Sequence, residues 1–247
     1  MFLDNSNENK IVVILPTYNN PKTIKEVALD VKEHGYDVII VDDGSDEPIE
    51  DLFSMYEKDK ITFLRHSQNR GKGAAIISGT AKAKELGFSS VLSMDGDGQH
   101  LASEAHKLIE ICEGDEIIIG ARNFDLEHVP NGSKFGRWFS NMWACWDTGF
   151  EISDSLSGYR IYPISILELP IKTSRYDWEM EVIVRHADAG GVIKEVVIEC
   201  YYPTPEERVS HFKKFDDTMS IVWVHVPILA YKWSKAILNS FMFFKKS

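Results

Sequence analysis

The sequence is poor in cysteine and in basic charge, and each shortage excludes a class of protein. Its 247 residues include only Cys112, Cys145 and Cys200, which lie far apart and form no C-x-x-C pair. Such a set predicts neither a disulfide framework nor a structural zinc site. Lys and Arg number 27 against 38 Asp and Glu, a formal net charge of −11. Because nucleic-acid binding needs a basic face, we expect no nucleic-acid partner.

Long apolar runs and a secretion signal are also missing. No stretch of about 20 apolar residues occurs, so a membrane-spanning helix is not expected. The first ten residues, MFLDNSNENK, lack the basic start and apolar core of a signal peptide, which favours a cytoplasmic location. The hydrophobic share of 44% is ordinary for a globular chain, and this length allows a well-buried core.

Apolar runs and helical repeats alternate along the first half of the chain. Runs rich in β-branched residues predict strands at 11–15, 38–41, 61–64, 91–94 and 117–119, the first ending at Pro16. Apolar residues at helical spacing predict helices at 24–31, 71–86 and 101–112. This order predicts an α/β fold with a mostly parallel sheet flanked by helices.

Polar clusters follow three of the predicted strands. They are Pro16-Thr17-Tyr18-Asn19, Asp42-Asp43-Gly44-Ser45 and Asp95-Gly96-Asp97. In open α/β sheets, ligands bind at the carboxyl ends of the strands. The three loops are therefore predicted to form one site.

Asp95 and Asp97 are separated by a single glycine at a strand end. Two carboxylates this close repel each other unless a cation lies between them, and hard oxygen ligands suit Mg²⁺ or Mn²⁺. Gln99 and His100 are candidates to complete the ligand set. An ordinary surface turn is the alternative. An EF-hand is excluded, because its twelfth position would be His106 rather than Glu.

Residues 69–73, Asn-Arg-Gly-Lys-Gly, precede an Ala-rich helix. Amide groups at a helix start attract phosphate, and Arg70 and Lys72 add positive charge. The segment is not a Walker A loop, and no G-x-G-x-x-G follows the first strand. An ordinary helix start is the alternative.

Taken together, these segments resemble the motif series of glycosyltransferase family 2. The matching motifs are PTYNN at 16–20, VDDGS at 41–45, NRGKGAA at 69–75 and MDGDGQH at 94–100. A second group of segments resembles the polyprenyl-phosphate branch of this family, which is similar to dolichol-phosphate mannose synthase. These segments are GAR at 120–122, DSLSGYRIY at 154–162, residues 178–198 and SHF at 210–212. The resemblance implies a GT-A domain over residues 1–215, followed by a C-terminal segment at 216–247.

The resemblance also implies roles for particular residues. Nucleotide contacts are implied for Pro16, Thr17, Tyr18, Asn19, Asp42, Asp43, Asn69 and Lys72. Metal ligands are implied at Asp95, Asp97 and Gln99, and acceptor-phosphate contacts at Arg122, Arg137 and Ser140. Guanidinium groups suit phosphate because they bind its oxygens in a bidentate fork. A further basic contact stays open between Arg208, His211 and Lys213, because the family's usual segment there is altered.

The implied activity is an inverting, metal-dependent transfer of a hexose from a UDP- or GDP-sugar to a polyprenyl-phosphate-like lipid. The metal, held through Asp97 and Asp95, would neutralise charge on the leaving diphosphate. A lipid phosphate needs no general base, whereas a hydroxyl acceptor would require a carboxylate such as Asp154 or Glu179.

Two rival functions stay open, and two others are disfavoured. One is transfer to a hydroxyl of a glycan or glycolipid, and another is a non-catalytic nucleotide-sugar-binding module. A nucleotidyltransferase is disfavoured, since a Gly-rich basic loop would stand where PTYNN does. A processive polymerase is disfavoured by the missing Q-x-x-R-W motif.

The C-terminal segment is predicted to be an amphipathic helix. Trp233, Ile237, Phe241 and Phe244 share one helical face, and Lys232 and Lys235 share another. Such a helix can lie in a bilayer interface or pack on the protein's own core. Residues 208–247 carry a formal net charge of +5, and residues 1–207 carry a net charge of −16. A basic, aromatic end predicts peripheral contact with the cytoplasmic face of a membrane.

A second aromatic stretch lies near the middle of the chain. It consists of Phe135, Trp138, Phe139, Met142 and Trp146. Its helical spacing predicts core packing, with contact to a polyprenyl chain as the alternative.

Overall fold

A computed structural model of the chain describes residues 10–122 and 131–201, and of residues 131–136 it describes the backbone alone. The predictions for Arg208, His211, Lys213 and the segment 216–247 lie outside the described residues, as does the side chain of Phe135.

Seven strands form one sheet in the order β3-β2-β1-β4-β6-β5-β7. The strands are β1 Ile11–Thr17, β2 Asp37–Asp42, β3 Thr62–Arg65, β4 Ser90–Ser93, β5 Ile117–Arg122, β6 Arg160–Pro163 and β7 Ile193–Ile198. Only β6 runs antiparallel to its neighbours, β4 and β5. The predicted mostly parallel α/β architecture is confirmed.

Six α-helices connect and cover the strands within the described ranges. They are α1 Ile24–Glu33, α2 Met55–Lys58, α3 Lys72–Glu85, α4 Ala105–Glu110, α5 Asn131–Thr148 and α6 Trp178–Asp188. Short 3-10 turns occur at Ile49–Leu52, Ala102–Glu104 and Ile164–Glu168. No helix in these ranges is long and apolar enough to cross a bilayer.

The sheet is buried on both faces. Alternate residues of β1 enter opposite clusters: Val12 and Ile14 pack on one side, Val13 and Leu15 on the other. This explains the uninterrupted apolar run, because a strand covered on both sides needs no polar alternation. The core therefore fixes the strand ends at one edge, where the polar loops emerge.

The register brings the polar loops together. Thr17 pairs with Asp42, and Asp42 pairs with Arg65 on the next strand. The strand predicted at 11–15 runs two residues further than expected, since Pro16 pairs with Val41 and Thr17 with Asp42. Proline lacks an amide hydrogen, which limits it to positions where that donor is not needed.

The aromatic stretch on α5 corrects the expectation of core packing. Trp138 and Trp146 are 59% and 67% exposed, whereas Ser140, Ala144 and Asp147 on another side of the helix are buried. The small and polar residues therefore face the domain, and the two indoles do not.

Candidate active site

Asp43 joins the loop after β2 to the start of α3. Its Oδ1 accepts the amide of Arg70 at 2.9 Å, and its Oδ2 accepts the amide of Gly71 at 2.7 Å. His66 Nδ1 lies 2.6 Å from Oδ1, and His66 Nε2 lies 2.9 Å from Ser78 Oγ. Both carboxylate oxygens are thus engaged with protein groups, and Asp43 shapes the Asn69–Lys72 loop.

Asp42 holds the turn that follows β2. Its oxygens accept the amides of Ser45 at 2.9 Å and Ile49 at 3.2 Å, and it forms an ion pair with Arg65. Ser45 in turn accepts the Asn19 amide at 2.9 Å. The loops after β1 and β2 are therefore fixed to each other.

The loop after β1 presents one polar group that the fold leaves unused. Thr17 is buried, and its Oγ1 has no hydrogen-bond partner among the residues described. Asn19 adopts a left-handed backbone with φ of 48°, a region that asparagine tolerates better than most residues. An unpaired buried hydroxyl is costly, so Thr17 is suited to receive a ligand.

The Asp95–His100 loop after β4 is fixed at both ends. Asn20 Nδ2 and Thr23 Oγ1 donate to the Gly96 carbonyl at 2.7 and 2.6 Å. The Asp95 amide donates to His100 Nδ1 at 3.1 Å. Burial lowers the pKa of His100 to about 4, so the ring is neutral at neutral pH.

Lys72 bridges two acidic groups at the centre of the site. Its Nζ lies 2.5 Å from Asp95 Oδ1 and 2.8 Å from Glu179 Oε1, and all three side chains are mostly buried. Burial alone would lower the pKa of Lys72, but Asp95 and Glu179 outweigh it and raise the pKa. The lysine is therefore a fixed positive charge beside the first aspartate.

Gly158 is required by this close packing. A Cβ at Gly158 would lie 2.5 Å from Lys72 Nζ and 2.8 Å from Asp95 Oδ2. The backbone of the 154–158 loop therefore lies directly against the Lys72–Asp95 pair, and any side chain there would displace one of the two groups.

The two aspartates of the D-x-D pair differ in charge environment. Burial acts to raise the pKa of Asp95, but Lys72 outweighs it and brings the pKa down to about 2. Burial and then the charge of Asp95 raise the pKa of Asp97 to about 6. Among the described residues no ion pair like that of Lys72 with Asp95 is formed by Asp97, which accepts the amide and Nε2 of Gln99 at 3.0 and 2.9 Å.

This donor set fits a divalent metal that takes most of its ligands from elsewhere. Across the described parts of the chain, no three His, Cys, Asp or Glu side chains are close enough to enclose an ion. Asp95 and Asp97 offer carboxylate oxygens, and a divalent cation between them would offset the charge of Asp95, which together with burial raises the pKa of Asp97. Mg²⁺ and Mn²⁺ suit such a site, with water and phosphate oxygens completing the shell.

A cluster of two arginines surrounds Asp154, whose side chain is 1% exposed. Asp154 accepts Arg122 Nε at 2.7 Å and Nη2 at 2.9 Å, and Arg137 Nε lies 3.8 Å away. Ser140 Oγ hydrogen-bonds Ser155 Oγ at 2.9 Å. Two cations held by one carboxylate leave an excess of positive charge, which suits a phosphate group.

Arg160 connects this cluster to the group formed by Lys72, Asp95 and Glu179, which we call the Lys72 centre. It is fully buried and donates to the carbonyls of Ser155 and Ser157 at 2.7 Å and of Glu179 at 2.6 Å. The 154–158 loop and the first turn of α6 are thereby fixed together. The arginine cluster and the Lys72 centre are parts of one site.

Most of the predicted site residues are brought together by this arrangement. The loops of Pro16–Asn19, Asp42–Asp43, Asn69–Lys72 and Asp95–Gln99 meet at the strand ends, and the Asp154 cluster adjoins them. Sequence reasoning did not assign roles to Asn20, Thr23, His66, Gly158 or Arg160. Asn20, Gly158 and Arg160 stood within quoted motifs, but their contacts join distant parts of the chain.

Comparisons with known proteins agree on one family. The family model described as Glycosyl transferase family 2 matches residues 12–152. The chain is 30% identical over 215 residues to a UDP-N-acetylglucosamine–dolichyl-phosphate N-acetylglucosaminyltransferase of Methanococcus voltae, covering 78% of this chain and 86% of that protein. It is 27% identical over 202 residues to an undecaprenyl-phosphate mannosyltransferase of Micrococcus luteus, covering 76% and 82%.

A solved structure shares the fold at low identity. Glucosyl-3-phosphoglycerate synthase from Mycobacterium tuberculosis, in complex with Mn²⁺, UDP and glucosyl-3-phosphoglycerate, superposes with a TM-score of 0.65. The identity is 16%, and the match covers 87% of this chain and 77% of that one. At this identity the match shows the fold alone.

Proposed function

The chain belongs to glycosyltransferase family 2, has its GT-A fold and is a glycosyltransferase, and from this premise we propose that it transfers a hexose from a UDP- or GDP-sugar to a polyprenyl-phosphate-like lipid. The reaction is metal-dependent and inverts the configuration at the anomeric carbon. The relatives from Methanococcus voltae and Micrococcus luteus are named for dolichyl-phosphate and undecaprenyl-phosphate acceptors, which supports this acceptor class.

One observation carries the proposal: a single loop joins a phosphate-binding cluster to the Lys72 centre. At one end of the 154–158 loop, Asp154 holds Arg122 in a bidentate pair. At the other end, Gly158 lies against Lys72 and Asp95. A sugar transfer between two phosphate-bearing substrates needs two phosphate sites next to each other, and this arrangement supports that requirement.

The donor occupies the side formed by the loops after β1, β2 and β4. Thr17 offers its unused hydroxyl, and the neighbouring Pro16, Tyr18 and Asn19 line the nucleotide. Asp42, Asp43 and Asn69 act mainly by shaping that surface. Asp95 and Asp97, with Gln99 beside them, hold Mg²⁺ or Mn²⁺, which when bound neutralises charge on the leaving diphosphate.

The acceptor phosphate binds at Arg122 and Arg137, with Ser140 alongside. Its oxygen is already an anion at neutral pH, so the reaction needs no general base. Asp154 and Glu179 are both engaged by cations, Asp154 by Arg122 and Glu179 by Lys72. Protonating either carboxylate would break an ion pair, which makes both poor bases. We therefore assign them positioning roles, and no observation favours a hydroxyl acceptor.

The domain boundary and the membrane contact extend the same proposal. We assign residues 1–215 to the catalytic domain and give Arg208 and His211 a role in substrate binding. Residues 216–247 form an amphipathic segment that contacts the cytoplasmic face of the membrane. A lipid-linked acceptor requires such contact, and the positive balance of this segment suits anionic lipid.

The test measures nucleoside diphosphate release from UDP- and GDP-sugars in the presence of Mn²⁺. Acceptors are a polyprenyl phosphate and the polyprenol of the same length. We expect turnover with the phosphate only. In Arg122→Ala, the acceptor KM should rise by about 10-fold to 100-fold, as expected for the loss of a charged hydrogen bond of roughly 1.5–3 kcal/mol.

The Lys84→Ala variant serves as a control, because Lys84 is an exposed cation in the last turn of α3, at the end of the helix away from the site. Equal turnover with the polyprenol, or an unchanged acceptor KM in Arg122→Ala, would contradict the proposal. Binding of a sugar nucleotide without turnover on any acceptor would favour a non-catalytic module.

A further inference from the structure

His100 is 5% exposed and closes the loop that carries Asp95 and Asp97. Its Nδ1 accepts the amide of Asp95 at 3.1 Å. We propose that His100 is a positioning residue for the divalent metal: it fixes the backbone from which both carboxylates project and does not itself bind the ion. This inference rests on the metal-dependent function proposed above.

The hydrogen bond to the Asp95 amide removes His100 from the set of metal ligands. A neutral imidazole has one nitrogen with a free lone pair and one that carries hydrogen. The lone pair of Nδ1 is taken by the Asp95 amide, so the hydrogen lies on Nε2. Neither nitrogen then offers an electron pair to a cation.

The ring is held in place independently of that hydrogen bond. It stacks on Tyr159 with ring centroids 4.9 Å apart and an interplanar angle of 14°. Tyr159 is fully buried, and its hydroxyl donates to the Leu101 carbonyl at 3.1 Å. The Gln99 carbonyl accepts the Tyr201 amide at 2.9 Å, and His100 forms a β-bridge with Cys200. The acceptor atom is thus presented on a rigid support.

The opposite side of the loop is fixed by different contacts. Asn20 and Thr23 both donate to the Gly96 carbonyl. The peptide groups that precede Asp95 and Asp97 are therefore both held: the Asp95 amide by His100, and the Gly96 carbonyl, in the peptide that joins Gly96 to Asp97, by Asn20 and Thr23. With these points fixed, the directions of the Asp95 and Asp97 side chains are set before any ion arrives, which lowers the cost of binding.

Two substitutions separate the effect of the Asp95–His100 hydrogen bond on metal binding from the effect of the ring stacking on Tyr159. His100→Phe keeps an aromatic ring against Tyr159 and removes the acceptor. His100→Asn loses the ring, but its amide oxygen reaches about the position of Nδ1. Loss of an outer contact of this kind typically weakens metal binding 10-fold to 100-fold. We expect a loss of Mn²⁺ affinity of this size in His100→Phe. In His100→Asn, the logarithm of the fold-loss in affinity should be less than about a third of its value in His100→Phe.

The experiment is a calorimetric titration of Mn²⁺ into each full-length variant, in the presence of UDP and separately of GDP. His106→Asn is the matched control, because His106 is exposed and contacts only the Ser103 carbonyl among the hydrogen bonds described. Its Mn²⁺ affinity should equal that of the wild type. Thermal unfolding checks that each variant is folded.

Several outcomes decide the matter. Equal Mn²⁺ affinity in wild type and His100→Phe would overturn the inference, and so would equal losses in His100→Phe and His100→Asn. If His100→Phe does not fold, His100→Asn is compared with His100→Ala, and only the former should retain affinity. If the wild type binds no Mn²⁺ with either diphosphate, the proposed metal-dependent function fails instead.

Discussion

Replacing Asp154 with asparagine should destabilise the protein and misplace Arg122 without affecting proton transfer. Asp154 Oδ2 accepts both the amide and Nε of Arg122, and Oδ1 accepts Nη2, with Arg137 Nε at 3.8 Å. Asparagine keeps the shape of the side chain but removes its charge. Two arginines are then left beside a buried group that no longer balances them.

The size of the effect follows from burial. Removing one partner of a buried ion pair costs about 3–5 kcal/mol. The Arg122 side chain is 23% exposed and retains some hydration, which places the cost near the lower end, at about 3 kcal/mol. For a chain of this size each kcal/mol lowers the unfolding temperature by roughly 2–4 °C, so we expect a loss of roughly 6–12 °C.

The assay is thermal unfolding with and without added inorganic phosphate. Phosphate should restore part of the lost stability in Asp154→Asn, because the arginines released from Asp154 bind anions more strongly. The wild type should respond less. In the transfer assay, the acceptor KM should rise while the pH dependence of kcat stays the same. Asp115→Asn, at an exposed carboxylate, is the control.

If Asp154 were a general base, the opposite results would be expected. The unfolding temperature would be unchanged, phosphate would have no special effect, and kcat would fall by about 10²–10⁴ with loss of one limb of its pH profile. That combination would refute the positioning role. The Asp154→Asn activity alone does not discriminate, since both accounts expect it to fall.

Three further predictions concern the Lys72 centre and the metal that Asp95 and Asp97 are proposed to hold. Gly158→Ala should lower kcat by about 100-fold and also lower the unfolding temperature, because the new methyl group displaces the charged ends of Lys72 and Asp95 from their ion pair. Lys72→Met should lower activity yet show a larger Mn²⁺-induced rise in unfolding temperature than the wild type, since Asp95 and Glu179 lose their shared cation. Treatment with EDTA should abolish transfer and Mn²⁺ or Mg²⁺ should restore it, whereas Asp95→Asn/Asp97→Asn should show no metal-dependent stabilisation by UDP or GDP.

Local sequence pattern was enough to predict five of the seven strands of the sheet. The five predicted strands begin within one residue and end within three residues of their predicted bounds, because uninterrupted β-branched runs are what a doubly covered parallel sheet requires. The late strands β6 and β7 were not predicted from periodicity. Strand β6 is a four-residue strand, Arg160–Pro163, that contains a buried arginine, which hides it from a search for apolar runs.

The site was predictable where its residues follow a strand and not where they meet across the chain. Asp95 and Asp97 were found because of their place after β4. The partnership of Lys72 with Glu179 depends on how α3 packs beside α6, which no spacing reveals. The exposed indoles of α5 were missed for a related reason. Helical spacing predicts an aromatic stripe, but the identity of the face that meets the domain depends on tertiary packing.

The proposed nucleophile is a phosphate oxygen of a lipid, and ³¹P NMR of the reaction product distinguishes it from a hydroxyl oxygen. Full-length protein, Mn²⁺, the preferred UDP- or GDP-sugar and a polyprenyl phosphate are incubated, and the lipid is extracted. We expect the phosphate monoester signal of the acceptor to be replaced by the signal of a phosphodiester that is joined to the sugar's anomeric carbon. An unchanged monoester signal, with sugar found on a hydroxyl or released free, would contradict it.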